Sequence, residues 1–235
     1  MQKKEPLIFG GYYHIFNKGI NGCKLFYQNK NYHYFLNLFE KYIDPIADTF
    51  AWCLMPNHFH LMVRIKEEEE IGYYLPLNNE NLKNLSEFEK PERVSENKFK
   101  TNTFINSEGS DDSFRLKKPN PTNHFSHLFN SYTKAINKQE TRTGSLFQHS
   151  FKRKKIDTED YLKQLIIYIH TNPIKHGFAN NCIDYLWSSY HSIVNNKPTN
   201  IKRKQVLDWF ENSTNFVKIH ENKTEALLDE KFNLE

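Results

Sequence analysis

The sequence predicts an α+β protein, a ferredoxin-like split βαβ sandwich whose antiparallel sheet carries helices on one face. Two β-prone runs, residues 49–55 and 58–65, are separated only by Pro56-Asn57, so they predict adjacent strands joined by a tight turn. One strand and one amphipathic helix are predicted before this pair, and a helix, a strand and another helix after it. The first six elements, in the order β-α-β-β-α-β, match the split βαβ arrangement.

The elements before the strand pair are a short strand and a helix. Residues 12–16 (YYHIF) form a β-prone run that ends at the turn-forming Asn17-Lys18-Gly19. Residues 31–43 predict an amphipathic helix that ends before Asp44-Pro45. Its apolar residues recur at helical spacing: Tyr34, Phe35, Leu38, Phe39 and Tyr42.

The elements after the strand pair begin at Asn123. Apolar residues at helical spacing predict a helix over 123–141, and residues 145–151 (SLFQHSF) predict a strand. This strand leads into a run of four basic residues at 152–155.

The last part of the chain predicts helices. One helix is expected over 161–171, with Asp157 as its N-cap and Asn172-Pro173 as its end. The C-terminal helical additions are expected to include a helix around residues 205–210.

Residues 66–121 differ in composition from the rest and are predicted to be an acidic insertion. Four consecutive glutamates follow Lys66, and the segment is rich in Asn, Ser and Glu and predicts one short helix, at 79–89. The segment from Glu67 to Asp112 holds 12 acidic and 5 basic residues, whereas the remaining residues hold 27 basic and 16 acidic. This imbalance fits a body that binds polyanions, although ordinary solvated surface would give the same pattern.

The length of 235 residues fits one well-cored domain with additions. We predict that domain over residues 8–195, followed by a tail over 196–235. No apolar run is long enough to span a bilayer, and the first residues lack the apolar stretch of a signal peptide. The three cysteines are far apart and form no CxxC pair, which argues against a disulfide framework. We therefore expect a cytoplasmic protein with no membrane partner.

The first candidate for chemistry is the sequence His58-Phe59-His60. Residues two apart on a strand point to the same face, so both imidazoles would project together while Phe59 packs behind them. Two neutral imidazoles on one face can begin a divalent-metal site. A surface pair, or a hydrogen-bonded pair in the core, would have the same sequence pattern.

The second candidate is Tyr168 with Asn172. Residues four apart stack on one face of a helix, and a phenol beside an amide oxygen is what a tyrosine nucleophile next to a metal needs. Tyr161 and Leu165 share that face, so core packing is the alternative. Asn172 stands before Pro173, so it can also serve only to end the helix.

Taken together, these motifs resemble those of the HUH single-strand DNA transposases. LMPNHFHLMV at 54–63 resembles their His-hydrophobic-His strand. FQHSFK at 147–152, DYL at 160–162 and YIHTNPIKHG at 168–177 resemble the segment that carries their single catalytic tyrosine. WSSY at 187–190 resembles the motif that follows it in the REP-associated tyrosine transposase branch. The resemblance covers the predicted domain without its insertion.

The resemblance implies an activity and a set of site residues. His58 and His60 match two ligands of a divalent metal, Mg²⁺ or Mn²⁺; Asn172 matches the third ligand, a place that glutamine takes in some relatives. Tyr168 matches the nucleophile. The implied reaction is nicking and joining of single-stranded DNA that contains a hairpin, through a covalent 5′-phosphotyrosine. The resemblance implies a ferredoxin-like sandwich and either a monomer or a homodimer.

Holding the DNA is a separate task, for which five basic residues are candidates. They could bind backbone phosphates with salt-dependent affinity, although a short basic run is also typical of solvated surface. These residues are Lys152, Arg153, Lys154, Lys155 and Lys175. Aromatic residues such as Tyr12 or Tyr13 could stack on bases, with core packing as the alternative.

Two other functions are compatible with the same fold. A binding module would hold RNA or single-stranded DNA on its sheet through aromatic residues, without catalysis and without a metal. A metal hydrolase would use His58 and His60 to activate water and would form no covalent adduct.

Overall fold

The computed structural model describes residues 6–71 and 119–232. The predicted insertion lies almost wholly outside these ranges, as does its predicted helix at 79–89. The strands are β1 (Tyr12–Lys18), β2 (Ala47–Met55), β3 (His58–Ile65) and β4 (Lys152–Ile156). The helices are α1 (Asn29–Tyr42), α2 (Glu68–Ile71), α3 (Pro121–Gln139), α4 (Glu159–Lys175), α5 (Tyr190–Val194), α6 (Arg203–Trp209) and α7 (Ser213–Phe232).

The four strands form one antiparallel sheet in the order β2-β3-β1-β4. The first hairpin strand, β2, therefore lies at one edge, and β1 is inserted between β3 and the last strand. This is the strand order of the split βαβ sandwich, so the predicted fold class is confirmed. The bounds of β3 agree with the prediction, and β1 and β2 are each two residues longer than predicted.

One face of the sheet packs against helices α1 and α3. Tyr13 and Ile15 of β1 and Phe59 of β3 point to this face and are fully buried. The Phe59 ring lies 5.5 Å from Phe35 of α1 and 5.3 Å from Phe129 of α3, centroid to centroid. These two helices are the helices of the split βαβ unit, and they lie on one face as predicted.

The opposite face carries a second helical layer. Met62 of β3 and Cys53 of β2 point to this side, where Ile166 and Ile169 of α4 pack against them. The C-terminal helices add Phe216 to the same core. Both faces of the sheet therefore carry helices, and β3 and α4, the two segments with the predicted site residues, meet within this second layer.

Strand β4 is not where the sequence predicts it. Of the predicted strand 145–151, only Phe147 makes a bridge, an isolated one to Gly19, and the strand is formed by the basic run that follows. Leu146 and Phe147 are buried in an irregular segment, which explains their apolar character. A lysine-rich strand is stable here because β4 is an edge strand, where charged side chains reach water.

Helix α4 is longer than predicted at both ends. Its N-cap is Thr158, not Asp157, and the Thr158 hydroxyl accepts a hydrogen bond from the backbone N–H of Tyr161. The helix continues through Pro173 to Lys175. A proline inside a helix costs about 3 kcal/mol, but Pro173 and Ile174 are buried here, so packing offsets that cost.

The residues after 195 form two helices, one of which the sequence predicts. Helix α6 corresponds to the helix expected around 205–210. The longer helix α7 was not predicted, because its buried positions are Phe216, His220 and Thr224. The spacing is helical, but two of these three side chains are polar, so the apolar stripe that indicates a buried helix is missing.

A chain of hydrogen bonds joins α7 to α4. The Nδ1–H of His220 donates to the Phe216 carbonyl at 2.8 Å, so Nε2 of His220 accepts from Nδ1–H of His170 at 3.0 Å. Nε2 of His170 then accepts from the Ser189 hydroxyl at 2.8 Å. Both imidazoles are fully used as neutral rings. Burial lowers the pKa of His170 well below its usual value and lowers the pKa of His220 to about 4.

No helix within residues 6–71 and 119–232 is both long enough and apolar enough to cross a membrane.

The His170–His220 pair predicts loss of stability in mild acid. These histidines bind protons more readily in the unfolded chain than in the folded one. Their contribution to the free energy of unfolding is therefore complete above a pH of about 6.5 and is lost as the pH falls toward about 4. The free energy of unfolding should decrease between about pH 7.5 and pH 5 in both proteins, and we expect the decrease to be about 2 kcal/mol smaller in His220→Gln than in the wild type. Urea unfolding at both pH values measures the free energy of unfolding of the two proteins.

The control for this experiment is His127→Gln on helix α3, because His127 is exposed. It should keep the pH dependence of the wild type. If the His220→Gln protein also kept it, the acid sensitivity would arise elsewhere.

Candidate functional site

Strand β3 brings His58 and His60 to the same face of the sheet, as the HxH pattern predicts. Phe59 between them points to the opposite face and is fully buried. The turn before the strand is held by backbone hydrogen bonds from Gly19 N–H to the Asn57 carbonyl, at 2.8 Å, and from Leu25 N–H to the Pro56 carbonyl, at 2.7 Å. The position of His58, the first residue after this turn, is therefore tied to two other segments of the fold.

Helix α4 places Tyr168 and Asn172 one turn apart beside these histidines. The Tyr168 ring lies edge-on to His60, with centroids 5.2 Å apart, and 39% of the tyrosine is exposed. Asn172 is 1% exposed, and its Oδ1 lies 3.0 Å from Nε2 of His58. The structure thus brings together the four residues that the sequence singles out from two segments more than 100 residues apart.

Strand β1 adds a histidine that sequence analysis did not select. Nε2 of His14 lies 2.9 Å from Nδ1 of His60, and both rings are buried. The available signal was the period-two alternation of β1, which puts His14, Phe16 and Lys18 on one face. That alternation shows a shared face but not which strand pairs with β1, so the contact with His60 could not be read from the sequence.

The buried histidines are held in their neutral form. Burial lowers the pKa of His60 to about 2, and the neighbouring rings of His14 and His58 act in the same direction. Burial, together with the charge of Lys154, lowers the pKa of His14 to about 4. Burial also lowers the pKa of His58, against a hydrogen bond to Asn172 that raises it. Neutral imidazoles have the lone pair that a metal ligand requires.

The His58 ring faces two acceptor oxygens but, as a neutral ring, can donate only one hydrogen bond. Its Nδ1 lies 2.7 Å from Oδ1 of Asn57 and its Nε2 lies 3.0 Å from Oδ1 of Asn172. Both oxygens can only accept, whereas a neutral imidazole has one N–H to donate. If Nδ1–H donates to Asn57, the lone pairs of His58 Nε2 and Asn172 Oδ1 face each other. Two changes would each remove this conflict: turning the Asn172 amide over, so that its NH2 donates to Nε2 of His58, or binding a cation between Nε2 and Oδ1.

The donor set therefore fits a divalent metal held by His58, His60 and Asn172. In residues 6–71 and 119–232 no group of three or more His, Cys, Asp or Glu side chains could hold a metal ion, so the amide of Asn172 is needed to complete such a site. Its Nδ2 is buried without a hydrogen-bond partner among the described residues, so the interactions of this amide are incomplete in the protein alone. Asn57 and His14 contact the Nδ1 atoms of His58 and His60, respectively, and so orient the two rings. Hydrogen-bond partners of metal-binding histidines have the same role.

The basic run is divided between the two faces of the sheet. Lys152 and Lys154 pair with Phe16 and His14 of β1 and share the face of the histidines. Arg153 and Lys155 alternate with them and point to the other face. There the Arg153 guanidinium donates to the Thr122 hydroxyl at 3.0 Å and stacks on the Phe151 ring, and in the same stretch Lys155 pairs with Asp157.

The other residues predicted to contact DNA are Lys175 and the two aromatic residues of β1. Lys175 is exposed in the last turn of α4, next to His176, whose ring lies 5.0 Å from that of His58. Tyr13 is fully buried and cannot stack on a base, whereas Tyr12 is half-buried and packs on the second core through Phe50 and Trp209. Besides Tyr168, the ring of Phe16 lies beside the histidines.

Comparison with known proteins gives one structural relationship. No protein-family model and no curated protein matches the chain. A solved structure of a REP-associated tyrosine transposase bound to a REP hairpin superposes on it with a TM-score of 0.51 and 17% sequence identity, covering 83% of this chain and 85% of that chain. The resemblance inferred from short motifs is therefore confirmed at the level of the fold.

Proposed function

We propose that this protein is a metal-dependent tyrosine endonuclease and strand transferase that acts on single-stranded DNA containing a hairpin. One observation carries the proposal: an exposed tyrosine, two neutral histidines and a buried amide oxygen meet where α4 crosses β3. The fold shared with a transposase that binds a DNA hairpin supports the same substrate class.

A divalent metal would be held by His58, His60 and Asn172. When bound, it would polarise the scissile phosphate and stabilise the negative charge on the leaving oxygen. Magnesium prefers oxygen ligands, so two imidazoles favour manganese, and both metals are candidates.

Tyr168 would supply the nucleophile. Its phenolic oxygen forms a bond to the scissile phosphorus while the bond from phosphorus to the 3′ oxygen breaks. The phenolic proton is lost and the leaving oxygen gains one, so the products are a 5′-phosphotyrosine and a 3′-hydroxyl end. Attack by a different 3′-hydroxyl reverses the step and joins two strands without an external energy source. The exposure of Tyr168 leaves its oxygen accessible to DNA.

Replacing the nucleophile tests the proposal directly. We expect the wild type, incubated with labelled single-stranded hairpins and Mn²⁺, to give a labelled band at the mass of the protein on a denaturing gel. Tyr168→Phe should abolish this band while changing DNA affinity less than about twofold, because only the hydroxyl is removed. Tyr34→Phe is the matched control, since Tyr34 is equally exposed but lies on α1, against the opposite face of the sheet.

The other functions give different products in this experiment. Cleavage without an adduct would indicate a hydrolase in which the metal activates water. Binding with neither cleavage nor adduct, for hairpins of varied sequence and with both metals, would indicate a binding module. A Tyr168→Phe protein that still formed the adduct would show that the nucleophile is another residue.

The contact between His14 and His60 predicts an effect on metal affinity. With Nδ1–H of His60 donating to His14, the lone pair of Nε2 is left for a metal, and losing such an outer partner typically weakens binding about 10- to 100-fold. We expect His14→Leu to weaken Mn²⁺ binding by this amount in titration calorimetry. His33→Leu, at an exposed histidine of α1, should have no effect, and equal affinities for all three proteins would contradict the proposed site.

The division of the basic run predicts unequal contributions to DNA binding. We expect the double variant Lys152→Ala, Lys154→Ala to bind single-stranded DNA more weakly and to reduce the slope of log K against log salt by about 1.4, the value for two lost phosphate contacts. The pair Arg153→Ala, Lys155→Ala removes the same charge from the opposite face and serves as the control. Equal losses in both variants would show that affinity follows net charge and not position.

A further inference from the structure

Among the residues that the structure describes, the sheet face that carries the histidines is partly exposed at the end of β1 next to His60. Helix α4 packs over β2 and β3, but at the end of β1 nearest the histidines the face holds Phe16, which is half-buried, and Lys18, which is exposed. Lys152 of the edge strand β4 pairs with Phe16 and is also exposed. An aromatic ring and two ammonium groups are thus presented together next to the site.

The Phe16 ring is half-buried, and its packing contacts are with the site histidines. Phe16 belongs to neither of the two hydrophobic cores formed by the described residues. Its ring stacks on His14, with centroids 4.5 Å apart and an angle of 26° between the planes, and lies 5.9 Å from His60. The two histidines therefore fix the orientation of the ring, and the intermediate exposure of Phe16 leaves part of the side chain accessible.

The lysines around this ring carry uncompensated charge. Neither Lys18 nor Lys152 forms an ion pair with any residue in the parts of the chain that the structure describes, whereas Lys155 pairs with Asp157 nearby. The ammonium nitrogen of Lys152 lies 6.0 Å from the centroid of the Phe16 ring. A flat apolar surface beside free cations is complementary to a nucleotide, which combines an aromatic base with an anionic phosphate.

We propose that Phe16 and Lys152 form a subsite for the nucleotide next to the scissile phosphate. The base stacks on the Phe16 ring, and the Lys152 ammonium contacts the phosphate of the same nucleotide. The subsite rests on the proposed function, because it takes the position of the scissile phosphate from Tyr168. Every base has an aromatic face, so this contact contributes affinity and alignment without selecting a sequence.

The experiment measures binding in EDTA, so that cleavage does not contribute. Fluorescence anisotropy gives the dissociation constants of a 20-nucleotide oligo(dT) and of a 20-nucleotide strand in which every base is replaced by an abasic site. We expect Phe16→Leu to weaken oligo(dT) binding about 10-fold, as expected for one lost stack, and to leave abasic-strand binding unchanged. Phe16→Trp should bind oligo(dT) at least as tightly as the wild type. Tyr34→Leu, an exposed aromatic against the other face of the sheet, should match the wild type on both strands.

Three results would overturn the subsite. Unchanged oligo(dT) affinity in Phe16→Leu, with the Tyr168 adduct still formed by the wild type, would remove the subsite and leave the proposed function intact. Equal losses on both strands would show that Phe16 acts by supporting His14 and not by stacking. A wild type that binds neither strand and forms no adduct would remove the subsite together with the proposed function.

Discussion

Helix α4 packs along strand β3 so that one turn of the helix lies over two residues of the strand, and the arrangement of the site depends on this match. Residues four apart on a helix are about 6 Å apart along its axis, and residues two apart on a strand are separated by about 6.6 Å. Tyr168 and Asn172 can therefore lie opposite His60 and His58 at the same time. A shift of α4 by one residue would turn both side chains away together.

Burial of this contact determines the chemical state of its side chains. Helix α4 covers part of the sheet face, so His60 and His14 are desolvated and their pKa values are lowered far enough to keep both rings neutral near pH 7. The continuation of α4 through Pro173 has a related role. If the helix ended at Asn172, as the sequence suggests, the amide would lose the helical geometry that directs its oxygen toward His58.

The sequence predicts this fold well where burial produces a regular apolar pattern. Strand β3 alternates between a core face and a site face, so its bounds and the shared direction of His58 and His60 follow from the sequence. The sequence places strand β4 wrongly, because the exposed edge position of this strand tolerates lysine, which hides the strand pattern. Helix α7 was missed because His220 and Thr224 occupy buried positions. The role of His14 depends on a strand pairing across 46 residues, which local patterns do not encode.

The hydrogen bonds between α4 and α7 have a consequence for the order in which the protein is completed on the ribosome. His170 lies in the helix that carries Tyr168, and its partner His220 is synthesised 50 residues later. At about 5–20 residues per second, several seconds separate the two. Until His220 emerges, Nδ1–H of His170 lacks its native acceptor and Phe216 has not yet joined the core. The nascent chain therefore carries its tyrosine before the helix that bears it is fully anchored, and the site is not complete until α7 has been synthesised.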